Sequence, residues 1–95
     1  MRGGWVYIMT KKPNGTLYVG VTADLAARAW QHREGRVEGF TKRYGLKMLV
    51  YAEFHDDIAQ AIQRETSIKR WPRAWKVNLI RERNWNWNDL YDTIV

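Results

Sequence analysis

Two alternating apolar segments joined by a turn place the strongest restriction on how this chain can fold. The segments WVYIMT at 5–10 and TLYVGVT at 16–22 flank the sequence Pro13-Asn14-Gly15. Alternation over such a length is typical of a strand with one buried face, and an Asn-Gly pair favours a reversal of the chain. We therefore predict an antiparallel β-hairpin near the N-terminus, so that the domain is built on a sheet.

The hairpin divides its side chains into two sets, because successive residues of a strand point to opposite faces. One set is aliphatic and is predicted to face the core: Val6, Ile8, Leu17, Val19 and Val21. The other set is predicted to face solvent: Trp5, Tyr7, Met9, Tyr18, Gly20 and Thr22. In the plainest interpretation the tyrosines only stabilise the hairpin, since aromatic residues suit strands and pair across them. Gly20 lacks a side chain, however, and would let a ligand approach beside Tyr18.

The register of the hairpin decides how far apart the two tyrosines lie. Three registers are open, in which the numbers of paired residues add up to 25, 27 or 29, and Tyr7 and Tyr18 share a face in each of them. A tight two-residue turn at Asn14-Gly15 pairs Tyr7 with Thr22 and leaves the tyrosines roughly 13 Å apart along the strands. A wider loop places them directly opposite each other at about 5 Å. Of these two arrangements, only the wider loop builds a compact site.

The rest of the chain is predicted to contain three helices and one more strand. The predicted elements after the hairpin are a helix at 23–35, a glycine-containing loop at 35–45, a strand at 46–54, and helices at 57–71 and 73–83 separated by Pro72. The tail is expected to dock through Trp85, Trp87, Leu90 and Tyr91. This order, β-β-α-β-α-α, predicts one α+β domain over 1–95, with a small three-stranded antiparallel sheet flanked by helices.

The charge balance favours a polyanionic partner. Sixteen lysines and arginines against ten acidic residues give a net charge of +6, which is most often a sign of nucleic-acid binding, although a well-solvated basic surface is the plainer alternative. The absence of cysteine excludes disulfides and thiolate metal sites and makes a reducing cytoplasm the expected compartment. No apolar run approaches the ~20 residues of a membrane span, and the first residues lack the long apolar stretch of a signal peptide. We expect no association with membranes.

Polar residues occur in the predicted helices where packing does not require them. Arg28 and His32 are separated by four residues and lie at the edge of an apolar set, which consists of Leu25, Ala26, Ala29 and Trp30. In the helix at 57–71, Glu65 continues an apolar stripe, which consists of Ile58, Ala61, Ile62 and Ile68. A carboxylate on a core-facing stripe is costly unless it is paired or binds a metal. A solvated flank for the first pair and a structural ion pair for Glu65 are the alternatives.

Several common catalytic motifs are absent from the sequence. It has no cluster with zinc spacing, no glycine-rich loop of the P-loop or dinucleotide type and no serine nucleophile elbow. The remaining candidates are two phenols, a guanidinium, an imidazole and a carboxylate: Tyr7, Tyr18, Arg28, His32 and Glu65. A single carboxylate points to a hard ion such as Mg²⁺, with waters and a substrate phosphate completing its shell.

The ordered set of these residues resembles the GIY-YIG nuclease superfamily, most closely its small stand-alone bacterial members of the UvrC–intron-endonuclease type. Trp5-Val6-Tyr7 stands for the first motif, of which only the tyrosine is strictly kept, and Tyr18-Val19-Gly20 matches the second closely. The helix element Arg28 to His32 and the glutamate Glu65 follow in order. The phrases EGFTKRYG and QRETSIKRW are also typical of this subgroup, and the resemblance spans Trp5 to about Tyr91.

The resemblance implies a metal-dependent phosphodiesterase with the GIY-YIG fold. Glu65 would hold a single Mg²⁺ or Mn²⁺ at the scissile phosphate, and the metal would stabilise the leaving oxygen. Arg28 would neutralise charge that develops on the phosphate. Tyr7 or Tyr18 would help to deprotonate the attacking water, with His32 in support. A phenol of ordinary pKa is a poor base at neutral pH, so we expect nearby cations to lower that pKa.

The resemblance also implies which residues contact DNA. The expected contacts are Gly20, which would leave room for the phosphate, and the basic residues Arg36, Lys42, Arg43, Lys69 and Arg70. Phe40 and Tyr44 would stack on unpaired bases or, equally, would be buried anchors of their loop. Trp71 and Trp75 are expected in the core.

Two positions depart from the pattern or resist alignment. Some members of the superfamily carry a lysine directly after the second motif, where this chain has Val21, and other members lack it too. A late asparagine is common in the superfamily, and either Asn78 or Asn84 could correspond to it.

The leading hypothesis is therefore an endonuclease acting on DNA, with single-stranded or branched DNA as candidate substrates. One rival is a non-catalytic nucleic-acid-binding module of the same fold. Another is a protein-interaction domain that uses exposed aromatic residues. The intact set of five candidate residues favours the nuclease, but the sequence does not decide between DNA and RNA.

Overall fold

The computed structural model of the protein describes residues 3–37 and 39–94. Its elements are β1 (Gly4–Thr10), β2 (Leu17–Thr22), α1 (Leu25–Arg33), α2 (Phe40–Tyr44), β3 (Met48–His55), α3 (Ile58–Arg70), α4 (Arg73–Arg83) and α5 (Tyr91–Ile94). The predicted α+β class and the order of the main elements are confirmed. Two short helices were not predicted, namely α5 in the tail and α2 within the segment expected to be a loop.

Local capping explains where the helices begin and end. Asp24 accepts a hydrogen bond from the backbone N–H of Ala27 at the start of α1, and Asp57 does the same for Ala59 at the start of α3. α3 ends before Pro72, whose ring is incompatible with the interior of a helix. α2 lies between Gly39 and Gly45, and both have positive φ angles that favour glycine.

The sheet has the order β2-β1-β3 with antiparallel pairing, so β1 is the central strand. The loop between β1 and β2 covers 11–16 and is held by Thr10, whose hydroxyl donates to the backbone oxygens of Lys12 and Thr16. In the resulting register Tyr7 pairs with Gly20. This is the intermediate of the three registers considered from the sequence, so the hairpin has neither the tight two-residue turn nor the direct pairing of Tyr7 with Tyr18.

One face of the sheet packs against α3 and α4. Its cluster of buried residues contains Val6, Ile8, Val19, Val50, Tyr51, Ala61, Ile68, Ile80 and Trp87. An irregularity in the pairing of β1 with β3 lets consecutive residues Val50 and Tyr51 join the same cluster. The prediction that the aliphatic side of the hairpin faces a core is confirmed.

The other face is also buried, which corrects the prediction that it faces solvent. Tyr7 is only 1% exposed and Met9 is fully buried. The cluster on this side is completed by residues of α1, of the segment before β3, of β3 itself and of the tail: Leu25, Ala29, Leu46, Leu49, Leu90 and Ile94. Alternation alone missed this because tyrosine, methionine and tryptophan are apolar enough to form a second core.

Four large apolar side chains expected to be buried are exposed instead. Trp30 of α1 and Ile62 of α3 lie outside the buried stripes of their helices. Trp75 is 57% exposed and Trp85 is 66% exposed, whereas Trp87 is buried as expected. Trp71, Leu90 and Tyr91 are partly buried. Within residues 3–37 and 39–94, no helix is both long enough and apolar enough to cross a bilayer.

Candidate active site

Tyr7 and Gly20 form the floor of the candidate site. They are cross-strand partners, and the phenol ring of Tyr7 lies over the glycine. A Cβ atom on Gly20 would lie 2.5 Å from both Cζ and Oη of Tyr7. The space beside Gly20 is therefore filled by Tyr7, and the expectation that it leaves room for a phosphate is wrong.

The two tyrosines are close despite the register. Tyr18 lies diagonally across the strands from Tyr7, and their ring centroids are 6.4 Å apart. Diagonal neighbours are within reach of each other when the side chains are aromatic. A compact tyrosine pair thus forms without the direct pairing on which the sequence analysis made it depend. Tyr7 is buried, while Tyr18 on the edge strand remains half-buried.

His32 connects the tyrosine pair to α2. Its Nε2 lies 3.0 Å from Oη of Tyr7, and its Nδ1 lies 3.1 Å from Oγ1 of Thr41. Its ring centroid is 5.6 Å from that of Tyr7 and 5.7 Å from that of Tyr18. His32 is only 3% exposed, so it belongs to the buried stripe of α1 with Leu25 and Ala29. The expectation of a histidine at the edge of that stripe is corrected.

His32 is a neutral imidazole at physiological pH. Burial lowers its pKa from 6.5 to about 4, and the nearby charge of Arg28 contributes in the same direction. In a neutral imidazole one nitrogen donates a hydrogen bond and the other accepts. Either His32 accepts from the hydroxyl of Tyr7 and donates to Thr41, or both roles are reversed. Both tautomers make a continuous chain of hydrogen bonds from Tyr7 to Thr41.

The pKa of Tyr7 is raised rather than lowered. Burial is the main cause, and the neighbouring Tyr18 and the charge of Glu65 add to it. Arg28 opposes this shift through its charge, but burial outweighs it. The expectation that nearby cations lower the pKa is therefore wrong for Tyr7. The Tyr7 hydroxyl keeps its proton at neutral pH unless a partner accepts it.

Arg28 lies one helical turn before His32 on α1. It is half-buried, and its Nη1 donates to Oε1 of Gln31 at 3.1 Å. Its positive charge adds to the effect of burial in lowering the pKa of His32 and opposes the effect of burial in raising the pKa of Tyr7. The helical spacing that the sequence shows thus brings the guanidinium and the imidazole to the same phenol, Tyr7.

Glu65 approaches the site from α3 and is paired with Lys69. Its side chain is 12% exposed, and its Oε2 lies 2.8 Å from Nζ of Lys69. The hydrogen bond with Glu65 raises the pKa of Lys69. The same ammonium lies 5.9 Å from the ring centroid of Tyr18, so this ion pair borders the tyrosine pair. The structural partner left open by the sequence is thus a lysine.

The donors around Glu65 are those of a site with a single carboxylate. No group of three or more His, Cys, Asp or Glu residues that could hold a metal by itself occurs in the described parts of the chain. One carboxylate near phenol oxygens suits a hard ion that keeps most of its water ligands, such as Mg²⁺. The residues present therefore fit such an ion, provided that Lys69 gives up its hold on the carboxylate.

A second polar cluster anchors α3, and sequence reasoning missed it. Glu53 of β3 is buried and accepts hydrogen bonds from Nε of Arg64 at 3.0 Å and Nη2 of Arg64 at 3.3 Å. The hydroxyl of Tyr51 and Nε2 of His55 complete its contacts. Burial alone would raise the pKa of Glu53, but the bonds from Arg64, Tyr51 and His55 hold it below its usual range. Arg64 directly precedes Glu65, so this cluster fixes the helix that carries the candidate carboxylate.

Aromatic residues extend outward from Tyr18. The ring centroid of Phe40 lies 6.4 Å from that of Tyr18 at an interplanar angle of 24°, and that of Tyr44 lies 4.7 Å from Phe40. Both residues of α2 are exposed, so they are not the buried anchors of the alternative interpretation. The basic residues predicted to contact DNA are all exposed: Arg36, Lys42, Arg43, Lys69 and Arg70. Arg36 lies over the ring of Trp30.

The two candidate asparagines have different surroundings. Asn84 is buried, and its Nδ2 donates to the backbone oxygens of Val50 at 3.0 Å and Asn88 at 2.8 Å. Its Oδ1 accepts from the backbone N–H of Asn88 at 3.0 Å, so its amide holds the tail in place. Asn78 is exposed on α4, which packs on the face of the sheet opposite to Tyr7. Neither joins the cluster around Tyr7.

Sequence reasoning found five residues of this cluster and missed others. Tyr7, Tyr18, Arg28, His32 and Glu65 come together from β1, β2, α1 and α3. Thr41 was missed because a lone threonine in a glycine-containing segment carries no signal of its own. Glu53 and Arg64 were missed because their pairing depends on how α3 lies on β3.

Comparisons with known proteins identify the family and support the fold. A family model described as the GIY-YIG catalytic domain matches residues 3–78. UPF0213 proteins of Staphylococcus aureus strains Mu3 and Mu50 are each 37% identical over 83 residues, which is 87% of this chain and 100% of each relative. The solution NMR structure of a UPF0213 protein from Bacillus halodurans matches with a TM-score of 0.57 over 92% of both chains. Its sequence identity is 24%, so that similarity supports the fold alone.

Proposed function

Because the chain belongs to the family of GIY-YIG catalytic domains, we propose that it is a metal-dependent endonuclease that hydrolyses phosphodiester bonds in DNA. Single-stranded and branched DNA are the candidate substrates. The observation that carries the proposal is the hydrogen bond between Tyr7 and the buried neutral His32, at the point where Arg28 and Glu65 also converge. A buried chain of this kind has the donors and acceptors needed to move a proton.

Glu65 is the residue that would hold Mg²⁺ or Mn²⁺. When bound, such an ion supplies positive charge for the leaving oxygen of a phosphodiester. Its binding would compete with Lys69, which neutralises the same carboxylate in the free protein. Lys69 would then be released to contact a substrate phosphate, in keeping with its predicted role in nucleic-acid binding.

Tyr7 and His32 would act together on the attacking water. Since burial raises the pKa of Tyr7, a free phenolate is unfavourable. In the tautomer whose Nε2 is unprotonated, His32 takes the proton of the Tyr7 hydroxyl as Tyr7 takes a proton from water. Two protons therefore move, one from water to Oη of Tyr7 and one from Tyr7 to Nε2 of His32, and Thr41 holds the imidazole in the orientation that this transfer needs. Tyr18, which is more accessible, is the alternative phenol for the same step.

Arg28 would stabilise charge on the phosphate. It carries a permanent positive charge at the edge of a buried cluster, where an electrostatic contact is stronger than in water. An anionic substrate beside Arg28 would also offset its effect on His32 and would make the imidazole a better proton acceptor.

The exposed residues beside Tyr18 would hold the substrate. Phe40 and Tyr44 offer ring faces to unpaired bases, and stacking of this kind tolerates any base. The basic residues nearby would contact phosphates: Arg36, Lys42, Arg43, Lys69 and Arg70. This combination of aromatic and basic residues favours single-stranded or branched DNA, in which unpaired bases are free to stack.

A non-catalytic nucleic-acid-binding module is the second candidate. The observation that favours it is the ion pair of Glu65 with Lys69, which satisfies the carboxylate without a metal. The two candidates make the same prediction for binding and opposite predictions for cleavage.

Cleavage of labelled oligonucleotides tests the proposal. Single-stranded, duplex and branched DNA, and single-stranded RNA, would be incubated with the protein in Mg²⁺, Mn²⁺ or EDTA. We expect metal-dependent cleavage by the wild type and a loss of at least about 100-fold for Glu65→Gln and Arg28→Ala, as is typical when electrostatic stabilisation is removed. Glu34→Gln is the matched control, because Glu34 is an exposed carboxylate at the end of α1.

Three outcomes separate the candidates. Binding of all four substrates without cleavage of any would establish the non-catalytic module. Cleavage that survives Glu65→Gln would show that the metal is held elsewhere. Cleavage confined to RNA would keep the chemistry and overturn the substrate.

A further inference from the structure

The outer surface of α4 carries a set of residues that the candidate active site does not use. We call it the α4 surface and define it as Trp75, Asn78, Arg81, Glu82 and Trp85. The spacing of Trp75, Asn78, Arg81 and Glu82 places them on one side of the helix, and Trp85 follows shortly after the helix ends at Arg83. Trp75 and Trp85 are the two most exposed large apolar residues described in the structure. Asn78, Arg81, Glu82 and Trp85 line an open concavity of about 520 Å³.

The α4 surface lies on the opposite side of the sheet from Tyr7. α4 packs through Ile80 into the cluster that contains Val6 and Ile8. Tyr7 belongs to the other cluster, with α1 against it. A ligand on the α4 surface is therefore separate from one bound beside Tyr7 and His32.

The tryptophans of the α4 surface are arranged as ring platforms. The guanidinium carbon of Arg81 lies 3.9 Å from the ring centroid of Trp85, which is the geometry of a cation–π contact. Trp75 stands edge-on to Trp71 at a centroid distance of 5.9 Å. Flat rings next to guanidinium groups are the features that hold unpaired nucleobases.

The positive charges of α4 lack acidic partners. The helix carries four cations and one acid: Arg73, Lys76, Arg81, Arg83 and Glu82. None of the four cations makes an ion pair with a carboxylate in the described segments. Arg73, Lys76 and Arg83 instead donate to backbone oxygens of Gly15, Lys69 and Ala52, which leaves their charge uncompensated.

We propose that the α4 surface is a second contact surface for single-stranded nucleic acid. Arg81 and the other cations of α4 would contact phosphates, and Trp75 and Trp85 would stack on bases. The net positive charge of α4 favours a polyanion over a protein as the partner. The inference takes only its ligand from the proposed function: the strand that contacts the α4 surface is the one that enters the candidate active site. A strand long enough to reach both surfaces would bind more tightly than a short one.

Binding of oligonucleotides of two lengths tests this inference. Fluorescence anisotropy of labelled oligothymidylates of 6 and 24 nucleotides would be measured in EDTA. EDTA removes divalent metal ions, so binding is measured without metal-dependent cleavage. We expect the double variant Trp75→Ala/Trp85→Ala to weaken binding of the 24-mer by at least about tenfold, since it removes both rings on which bases would stack. Binding of the 6-mer, which engages only one surface at a time, should change by less than about threefold.

Charge is tested separately. Arg81→Gln should lower the slope of log affinity against log salt by about one for the 24-mer. Lys47→Gln is the matched control, because Lys47 is an exposed cation outside α4. Trp85→Ala alone is the second variant, in case loss of Trp75 disturbs its contact with Trp71. Near-ultraviolet circular dichroism would verify folding.

The outcomes distinguish this inference from the proposed function. Unchanged affinity of the double variant for the 24-mer would overturn the inference, even if cleavage is intact. If the wild type cleaves no substrate and the double variant binds the 24-mer more weakly, the second contact surface is supported and the proposed nuclease function fails. Self-association of the wild type that the double variant abolishes, with 24-mer affinity unchanged, would overturn it in favour of a contact between copies.

Discussion

At the scale of single residues, the contact between Tyr7 and Gly20 determines the geometry of the candidate site. Any side chain at position 20 would meet the phenol ring, which is itself enclosed by buried neighbours. The glycine is thus required for the tyrosine to take its place, and its predicted role of admitting a ligand is replaced by a structural one. This packing also keeps the Tyr7 hydroxyl within hydrogen-bonding distance of His32.

Gly20→Ala should therefore impair the site more than the fold. The added methyl group would displace the ring of Tyr7 and break its bond to His32, at a cost of about 1–3 kcal/mol in the free energy of unfolding. Cleavage at a temperature where the variant is fully folded should fall by at least tenfold. Gly35→Ala serves as the control, because its positive φ strains the chain without contact to other side chains. Equal loss of cleavage in both variants would contradict the prediction.

His32 makes stability depend on pH in a defined direction. The unfolded chain binds a proton on this histidine near pH 6.5, while the folded chain does so only near pH 4. The unfolded state thus binds more protons between these values, so the stabilisation is present above pH 6.5 and is lost as the pH falls to 4. The loss amounts to about 3 kcal/mol. Urea unfolding of wild type and His32→Gln across this range should show a flatter dependence in the variant, and parallel curves would contradict the assignment.

At the scale of elements, the placement of α3 matters most, because it brings Glu65 to strands β1 and β2. Glu53 and Arg64 fix this helix on β3 through two hydrogen bonds. Breaking one partner of a buried ion pair leaves the other uncompensated, whereas removing both charges costs less. The contributions of Glu53 and Arg64 to the free energy of unfolding should therefore depend on each other.

A double-mutant cycle measures this dependence. Arg64→Met should lower the free energy of unfolding by about 3 kcal/mol, since it leaves the Glu53 carboxylate buried without its guanidinium. Adding Glu53→Gln should restore part of that loss, which gives a coupling energy of at least about 1 kcal/mol. Arg70→Met is a comparable change at an exposed arginine of the same helix. Additive effects of the two substitutions would contradict the predicted coupling.

Local signals predicted the elements well, and tertiary contacts explain what they missed. The hairpin, α1, α3 and α4 follow from alternation, capping aspartates and Pro72, all of which act within a few residues. The burial of Tyr7 and His32 was not predictable, because it depends on α1 and the tail covering the second face of the sheet. The exposure of Trp75 and Trp85 was missed because tryptophan is ordinarily buried, so both residues were expected to pack against the core.

At the scale of the whole molecule, the excess of positive charge sets how strongly binding depends on salt. The net charge is +6, and basic side chains occur both beside Tyr18 and along α4. Raising the salt concentration from 50 to 200 mM should therefore weaken binding of a 24-nucleotide strand by at least about tenfold, through release of counterions. Fluorescence anisotropy at several salt concentrations gives the slope. Binding that is insensitive to salt would contradict the nucleic-acid interpretation of the charge.

The central position of β1 has a consequence for the dynamics of the protein. β1 is paired along both edges and packed on both faces, whereas α2 has only five residues between two glycines. In amide hydrogen exchange, the amides of β1 should therefore exchange only through global unfolding. Those of α2 should exchange through local opening, which requires a lower free energy. Tyr7 would thus keep a fixed position while Thr41, Phe40 and Tyr44 move about it, so that the rim beside the site can adjust to a strand without disturbing the floor.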